Sequence, residues 1–423
     1  IPGERVDGHD FAMAAVQAGA AAVLARRELP EVPPSVPVLR VDDTVKALGR
    51  LASAWRMRTR AKVVGITGTA GKTTVKEVLA QVLSGQGPTE RTAKNHNNQI
   101  GLPLSILNAA EDAAFWVMEA GISHAQDMEE LAPVLRPDIG LVLNAGAGHT
   151  AGLGGRGVAW HKARLLAYLT PGGTGLVSGD YPELAREARA ACRNLLFFSA
   201  AGRPMPYRGA YKGPGREGRG AYRLSLNGVA LDVETPFRGS YGTENAVAIA
   251  ATAHLLGLSD AAIVEGFAGA ALPEQRFQIH HVGGWQCVDD TYNANPLSMA
   301  RMLDAAAELS AGASLICVLG EMRELGEIAE IEHERLGRHL GRLRPAVVFW
   351  RGGNLAALRA GLDAEGYTGP VIPVEDARHF RSELRSLMPK TGSGVMLFKG
   401  SRSNHLEELF SVITACEEGD DVF

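Results

Sequence analysis

The stretch GITGTAGKTT, residues 65–74, gathers the residue types that hold a polyphosphate. Gly68 and Gly71 let the backbone turn tightly and aim N–H groups at phosphate oxygens, with Thr69 and Ala70 between them. Lys72 can reach the β- and γ-phosphates, the Thr73 hydroxyl can ligate Mg²⁺, and Thr74 continues into a helical pattern. Position 66 is Ile where the strict G-x-x-x-x-G-K-[ST] pattern has Gly, yet an apolar strand precedes the loop and a helix follows it. Two further apolar runs end in residues suited to the same chemistry. FWVM delivers Glu119, and IGLVLN delivers Asn144 with His149 a few residues on. In an open parallel sheet, ligands bind beyond the carboxyl ends of the strands. A carboxylate and an imidazole there suit Mg²⁺ beside a triphosphate, the carboxylate better than the imidazole.

The elements that must position these groups follow from the apolar pattern. Gly is abundant, 50 of 423 residues, and many lie just after apolar runs, as in VVGITG, VMEAG, LVLNAG, CVLGE and MLFKG. A short apolar run ending in Gly before a helical pattern marks the strand-to-helix turn of a parallel sheet. The chain predicts an α/β fold in three domains. Residues 1–60 form a partial N-terminal α/β substrate domain, with an Ala-rich helix at about 10–19, strands AAVLAR and VPVLRV, and a helix from about Thr44. Residues 61–272 form a central, P-loop-type, doubly wound ATPase domain. It includes a hairpin turned at Asn227–Gly228 and a helix at 244–257. Residues 273–423 form a C-terminal Rossmann-like α/β domain, reached through a linker at 269–274. Its strands are WQCVDDTYN, SLICVLGE, AVVFWRG, PVIPV and GVMLFKGS.

Composition narrows the class. Hydrophobic residues make up 46% and charged residues 21%, which is globular, and a net charge of −4 gives no footprint for nucleic acid or anionic membrane. Cys192, Cys287, Cys317 and Cys416 lack metal-ligand spacing and read as thiols of a reducing compartment. No apolar stretch approaches the ~20 residues of a membrane span. The expectation is a cytoplasmic, monomeric protein with small-molecule partners.

At this point the residues resemble the Mur ligase family. GTAGKTT after an apolar strand is similar to its phosphate loop, PGERVDGHDF (2–11) to openings of its first domain, and NHNNQIGLPL (95–104) to its N-x-N-N-x-[IV]-G-x-P-L stretch. DDTYNANPLSM (289–299), GEMRELG with His333, and KGSRS (399–403) resemble further motifs, so the likeness spans nearly the whole chain. The member most resembled joins D-alanyl-D-alanine to UDP-N-acetylmuramoyl-tripeptide in the bacterial cytoplasm, for peptidoglycan precursors, with ATP and two Mg²⁺ ions.

The resemblance implies roles. Lys72 and Thr73 hold the ATP phosphates and their Mg²⁺, while Glu119 and His149 hold a second ion. Lys162, in GVAWHKARLL, stands where the family has a lysine carbamylated by CO₂. Asn245 meets the adenine, Arg276 reaches ATP from the third domain, and Asp290 closes on the ribose with Tyr292 nearby. Asn97, Asn98, Asn293, Asn295, Lys399, Ser401 and Arg402 line the substrate side. Lys72, Lys162 and His149 are the catalytic set. There are departures: Tyr241–Gly242 replaces a His-Asn pair, so Gly242 offers the base no side chain, and Ala151 replaces an acid near the metal histidine. The chain is read as beginning inside its first domain, whose start is missing.

Two rival readings are a sibling that adds the third amino acid and a non-catalytic nucleotide-binding descendant. The sibling would carry an Asp-Asn-Pro-Arg-type motif where this chain has Asn293-Ala294-Asn295-Pro296. The descendant would draw on Tyr241–Gly242, Ala151 and the missing start, against the retained Lys72, Glu119, His149 and Lys162.

Overall fold

The computed structural model describes residues 1–3, 6–146, 153, 155–387 and 392–414. Near the N-terminus, β1 (Val23–Ala25) and β2 (Val38–Arg40) pair in parallel around a small core of Ala12, Ala25, Leu29 and Val32. The predicted helix at about 10–19 is shorter: a 3₁₀ turn Gly8–Phe11 runs into a helix Ala12–Gln17, and Gly19 turns the chain at φ 95°. The helix Thr44–Arg56 follows, its first N–H groups accepted by Asp43 Oδ1. At its other end the buried Arg56 donates to the carbonyls of Leu135 and Arg136 and to Asp138 Oδ2 at 3.0 Å. Asp138 Oδ2 also accepts the Val63 N–H, and its Oδ1 accepts the Thr170 hydroxyl.

Nine strands form the central sheet: β3 (Lys62–Thr67), β4 (Thr89–Arg91), β5 (Phe115–Glu119), β6 (Ile139–Val142), β7 (Thr174–Ser178), β8 (Leu195–Ser199), β9 (Tyr207–Pro214), β10 (Gly220–Leu226) and β11 (Val229–Thr235). Their order is β4-β5-β3-β6-β7-β8-β9-β10-β11. The first seven in that order run parallel; β10 and β11 are antiparallel. The hairpin forms at Asn227–Gly228, both at positive φ (48° and 95°), as the Asn-Gly dipeptide requires. It extends the doubly wound parallel sheet with an antiparallel edge.

Successive strand residues face opposite layers. Val64, Ile66 and Val117 pack with the helices Lys72–Ser84, Gly242–Leu255 and Asp260–Gly269. Val63, Trp116 and Met118 pack with Thr44–Arg56, Gly101–Asn108 and Asp127–Leu135. Covered on both faces, β3 and β5 read as continuous apolar runs.

The C-terminal sheet has six strands: β12 (Gln278–Val282), β13 (Gly284–Asp290), β14 (Ser314–Gly320), β15 (Val347–Arg351), β16 (Val371–Pro373) and β17 (Ser393–Lys399). Their order is β12-β13-β17-β14-β15-β16, parallel except for β12. Strand β12 carried no sequence signal, since QIHHV is an edge strand with polar residues on both faces. Asn295 caps the helix Pro296–Ser310 in a reciprocal box with Ser298.

Candidate active site

Strands β3, β5 and β6 are neighbours and end side by side, which brings the phosphate loop, Glu119 and Asn144 together. Asn144 brackets the loop. Its Oδ1 accepts the Thr69 and Ala70 N–H groups, each at 2.9 Å, and its Nδ2 donates to the Ala70 carbonyl at 3.0 Å. Gly71 sits at φ 84°, and a side chain there would meet Asn245 Oδ1 at 2.8 Å. The helix Lys72–Ser84 starts at the next residue, so its N-terminal N–H groups face the loop mouth.

Lys72 Nζ donates to the Gly68 carbonyl at 2.8 Å. Burial holds its pKa below the usual lysine range; Arg276 adds to this, and Glu119 and Glu324 oppose it. The Thr73 hydroxyl donates to Glu119 Oε2 at 3.0 Å, and Asn97 Nδ2 donates to Glu119 Oε1 at 2.7 Å. The fully buried Lys76, one turn after Lys72, ties this corner down. It donates to the Thr92 and Lys94 carbonyls and stands 4.0 Å from Glu119 Oε2. Lys162 is 2% exposed and sits in the last turn of the helix Val158–Ala163. Burial pulls its pKa well below that of an ordinary lysine; nearby Lys72 pulls the same way and Glu119 against. The expected metal ligand His149 and the departure at Ala151 lie outside the described residues.

A cleft of about 1190 Å³ separates this corner from the C-terminal sheet. Thr73, Arg91 and Lys94 line one side, and Arg276, Tyr292, Asn293, Ser401 and Arg402 the other. It continues into a 380 Å³ recess where Lys72, Glu119, Asn97 and Asn98 face Tyr292 and Asn293. The Arg276 guanidinium lies over the Tyr292 ring, 4.1 Å from its centroid. A narrow third pocket, about 60 Å³, runs behind the loop between Gly71, Thr74 and Asn245 on one side and Asp290, Arg301 and Lys399 on the other.

Several expectations change. Lys399 is 1% exposed and turned away from the large cleft, with Nζ on Asp290 Oδ2 at 2.5 Å and on the Asn293 carbonyl at 2.9 Å. Asn295 lines none of these cavities: its Oδ1 caps the helix and its Nδ2 donates to the Thr69 carbonyl at 3.2 Å. Asn98 spends its Oδ1 on the Ile100 and Gly101 N–H groups, and Asn97 serves Glu119. Gly242 does not leave an empty place, because an added Cβ would lie 2.3 Å from Tyr222 Oη. Tyr222 and Phe237 fill that space, while Tyr241 packs on Phe277 with ring centroids 5.3 Å apart. Sequence reasoning missed Lys76, Glu244 and Arg301. Only Lys76 carried a signal, its place four residues after Lys72 on the same helical face.

The donor set fits the groups that the loop implies. Asn245 Oδ1 is buried without a hydrogen-bond partner beside the loop, an acceptor awaiting a donor such as an exocyclic amine. Among the described residues no three His, Cys, Asp or Glu side chains cluster to chelate a metal. One hydroxyl and one carboxylate beside a phosphate loop suit Mg²⁺, which takes few protein ligands and completes its shell with phosphate and water.

Family models match in three stretches: the Mur ligase family catalytic domain over residues 1–56, the Mur ligase middle domain over 66–253, and the Mur ligase glutamate ligase domain over 275–402. The UDP-N-acetylmuramoyl-tripeptide–D-alanyl-D-alanine ligase of Bacillus subtilis is 30% identical over 97% of this chain and 88% of its own length. The Escherichia coli enzyme of the same name is 32% identical over 99% and 90%. Among solved structures, MurF from Acinetobacter baumannii superposes with a TM-score of 0.85 at 28% identity, covering 98% of this chain and 89% of that one. Thermotoga maritima MurF in complex with ADP gives 0.84 at 27% identity, with 98% and 93% covered. Three family models match along the length of the chain, relatives at 30% and 32% identity span nearly all of it, and the chain belongs to the Mur ligase family.

Proposed function

We propose that this chain is an ATP-dependent ligase that joins D-alanyl-D-alanine to UDP-N-acetylmuramoyl-tripeptide, releasing ADP and phosphate, for peptidoglycan precursor synthesis. The observation that carries the reading is the 3.0 Å contact of Thr73 and Glu119 at the mouth of a phosphate loop that opens on a cleft between two α/β units. The two named relatives above, similar over nearly their whole length, support the choice of substrates. Residues 1–60, 61–272 and 273–423 serve in this reading as the UDP-substrate, ATP and ligase domains of a monomeric cytoplasmic enzyme.

The terminal carboxylate of the tripeptide attacks the γ-phosphorus, the bond to the ADP oxygen breaks, and an acyl phosphate forms. The dipeptide amine then attacks the acyl carbon, loses a proton, and phosphate leaves. Loop N–H groups and Lys72 stabilise the charge that shifts between phosphoryl oxygens. Asn245 and Asp290 hold the base and ribose, with Arg276 and Tyr292 over the phosphates. Asn293, Ser401 and Arg402 hold the dipeptide end of the cleft. Closure of the cleft keeps water from the acyl phosphate.

Two Mg²⁺ ions, when bound, supply further charge neutralisation at the phosphates. Thr73 would hold one, and Glu119, His149 and a carbamylated Lys162 the other. Burial supports that modification, because it disfavours the ammonium and so favours the amine that adds to CO₂, forming an N–C bond and releasing one proton. A buried amine beside Lys72 thereby becomes an anion suited to metal.

The test is phosphate release measured with tripeptide nucleotide, with and without D-alanyl-D-alanine, for the unaltered chain and for Lys72→Ala. Release that requires both acceptors, and that vanishes in a folded Lys72→Ala protein, is expected. Release indifferent to the dipeptide refutes the substrate assignment, and full turnover of Lys72→Ala refutes the phosphate-loop assignment.

A further inference from the structure

The helix Pro296–Ser310 of the C-terminal unit lies along the nucleotide side of the central unit. At its start, the Asn295 amide reaches the Thr69 carbonyl. Near its end, Glu308 accepts the Ser240 N–H at 3.1 Å. Between them Arg301 crosses the interface. Its Nη1 donates to Glu244 Oε2 at 2.8 Å and its Nη2 to the Tyr181 hydroxyl at 2.6 Å. Glu244 Oε2 also accepts Asn144 Nδ2 at 2.7 Å, and Asn144 Oδ1 in turn takes the Thr69 and Ala70 N–H groups. A continuous polar chain thus joins the third unit to the phosphate loop.

We propose that Arg301 is a positioning residue for nucleotide binding, which couples docking of the C-terminal unit to the shape and charge of the phosphate loop through Glu244 and Asn144. The inference rests on the reading that the loop binds ATP. Glu244 is 4% exposed and bonds Asn144, the residue that brackets the phosphate loop, so its carboxylate places a negative charge close behind that loop. Arg301 offsets that charge only when the C-terminal unit is docked. The same docking brings Arg301 to the narrow pocket that Gly71 and Asn245 line. With Arg301 removed, Glu244 is buried without its cation, which is far costlier than replacing both partners by neutral groups. The docked arrangement then becomes less populated, and apparent nucleotide affinity falls by that fraction. Chemistry in the molecules that do bind is unaffected, because no link of the chain touches the reacting carboxylate or amine.

The test compares Arg301→Gln, Tyr181→Phe, and the double variant Glu244→Gln with Arg301→Gln. Calorimetry gives the Kd for ADP, and steady-state kinetics give KM for ATP and kcat. Arg301→Gln should raise both Kd and KM about tenfold, with kcat at saturating ATP within about threefold of the unaltered chain. The double variant should return to within about threefold, since two amides can pair across the interface. Tyr181→Phe, which removes one hydroxyl, should raise the Kd about twofold to threefold and serves if Arg301→Gln does not fold. An unchanged Kd in Arg301→Gln overturns the proposal, as does a double variant that binds ADP no better than the single one. An unaltered chain that fails to bind ADP overturns instead the reading on which it rests.

Discussion

Asp290 and Lys399 are register partners at the carboxyl ends of adjacent parallel strands, and their side chains form a buried ion pair with Nζ 2.5 Å from Oδ2. The other oxygen of Asp290 accepts the Phe277 N–H, so the pair also fixes the segment that carries Arg276. Burial lowers the Lys399 pKa and Asp290 opposes that fall, which makes each group the condition for the other's charge.

Removing one partner of such a pair leaves an uncompensated buried charge, which costs about 3–5 kcal/mol. Lys399→Met should therefore lower unfolding stability by about that much in urea titrations, beyond any loss of activity. A variant with unchanged stability would place Lys399 in solvent.

Glu119 is held from three sides, by Thr73, Asn97 and the more distant Lys76. Glu119→Ala should raise the Mg²⁺ concentration for half-maximal activity about 100-fold, and Asn97→Ala about tenfold through the lost orientation. Superimposable metal titrations for all three proteins would show that the ion binds elsewhere.

Lys162→Ala should lose about 10²–10³ of turnover, and millimolar acetate or formate should recover part of it. A small carboxylate can occupy the space that a carbamate on Lys162 would fill. Lys162→Arg should resist rescue, because a guanidinium still fills that space with positive charge. Full activity of Lys162→Ala in carboxylate-free buffer would refute the carbamate.

His333 accepts the Met322 N–H at Nε2 and donates from Nδ1 to the Ala329 carbonyl, bracing the loop that carries Arg323 at the cleft. Burial holds its pKa below the usual 6.5. The unfolded chain then binds the proton first as pH falls. The contribution of His333 to stability is complete above about 6.5 and is lost as pH drops below that value, levelling off under the folded-state pKa. Urea titrations between pH 7.5 and 5 should give a steeper fall for the unaltered chain than for His333→Gln. Parallel curves would mean that the imidazole titrates as it does in water.

The parts legible in the sequence were those governed by local rules. Apolar runs covered on both faces gave β3, β5 and β6, and Asn227–Gly228 gave a hairpin because its backbone angles belong to that dipeptide. Strand β12 and the antiparallel edge formed by the hairpin depend on what each strand packs against, which no local pattern records. At the site, Lys72, Thr73 and Glu119 were legible because each ends a strand or opens a helix. Asn295 and Lys399 were read as substrate-binding, whereas tertiary partners hold them, Ser298 and Thr69 for Asn295 and Asp290 and Asn293 for Lys399. Glu244 and Arg301, 57 positions apart, have meaning only as a pair.

The Asp138 carboxylate joins three elements at once: Arg56 at the end of one helix, the first residues of β3, and the Thr170 turn. No part of that junction borders the cleft, yet the strand it anchors delivers the phosphate loop. Asp138→Asn would keep the size of the side chain and weaken its bond to Arg56. A bacterium that depended on this gene and carried that one change should grow at low temperature, and on warming it should stop dividing with the protein aggregated and the reaction chemistry itself intact. Normal growth across the same temperature range would show that the junction is dispensable.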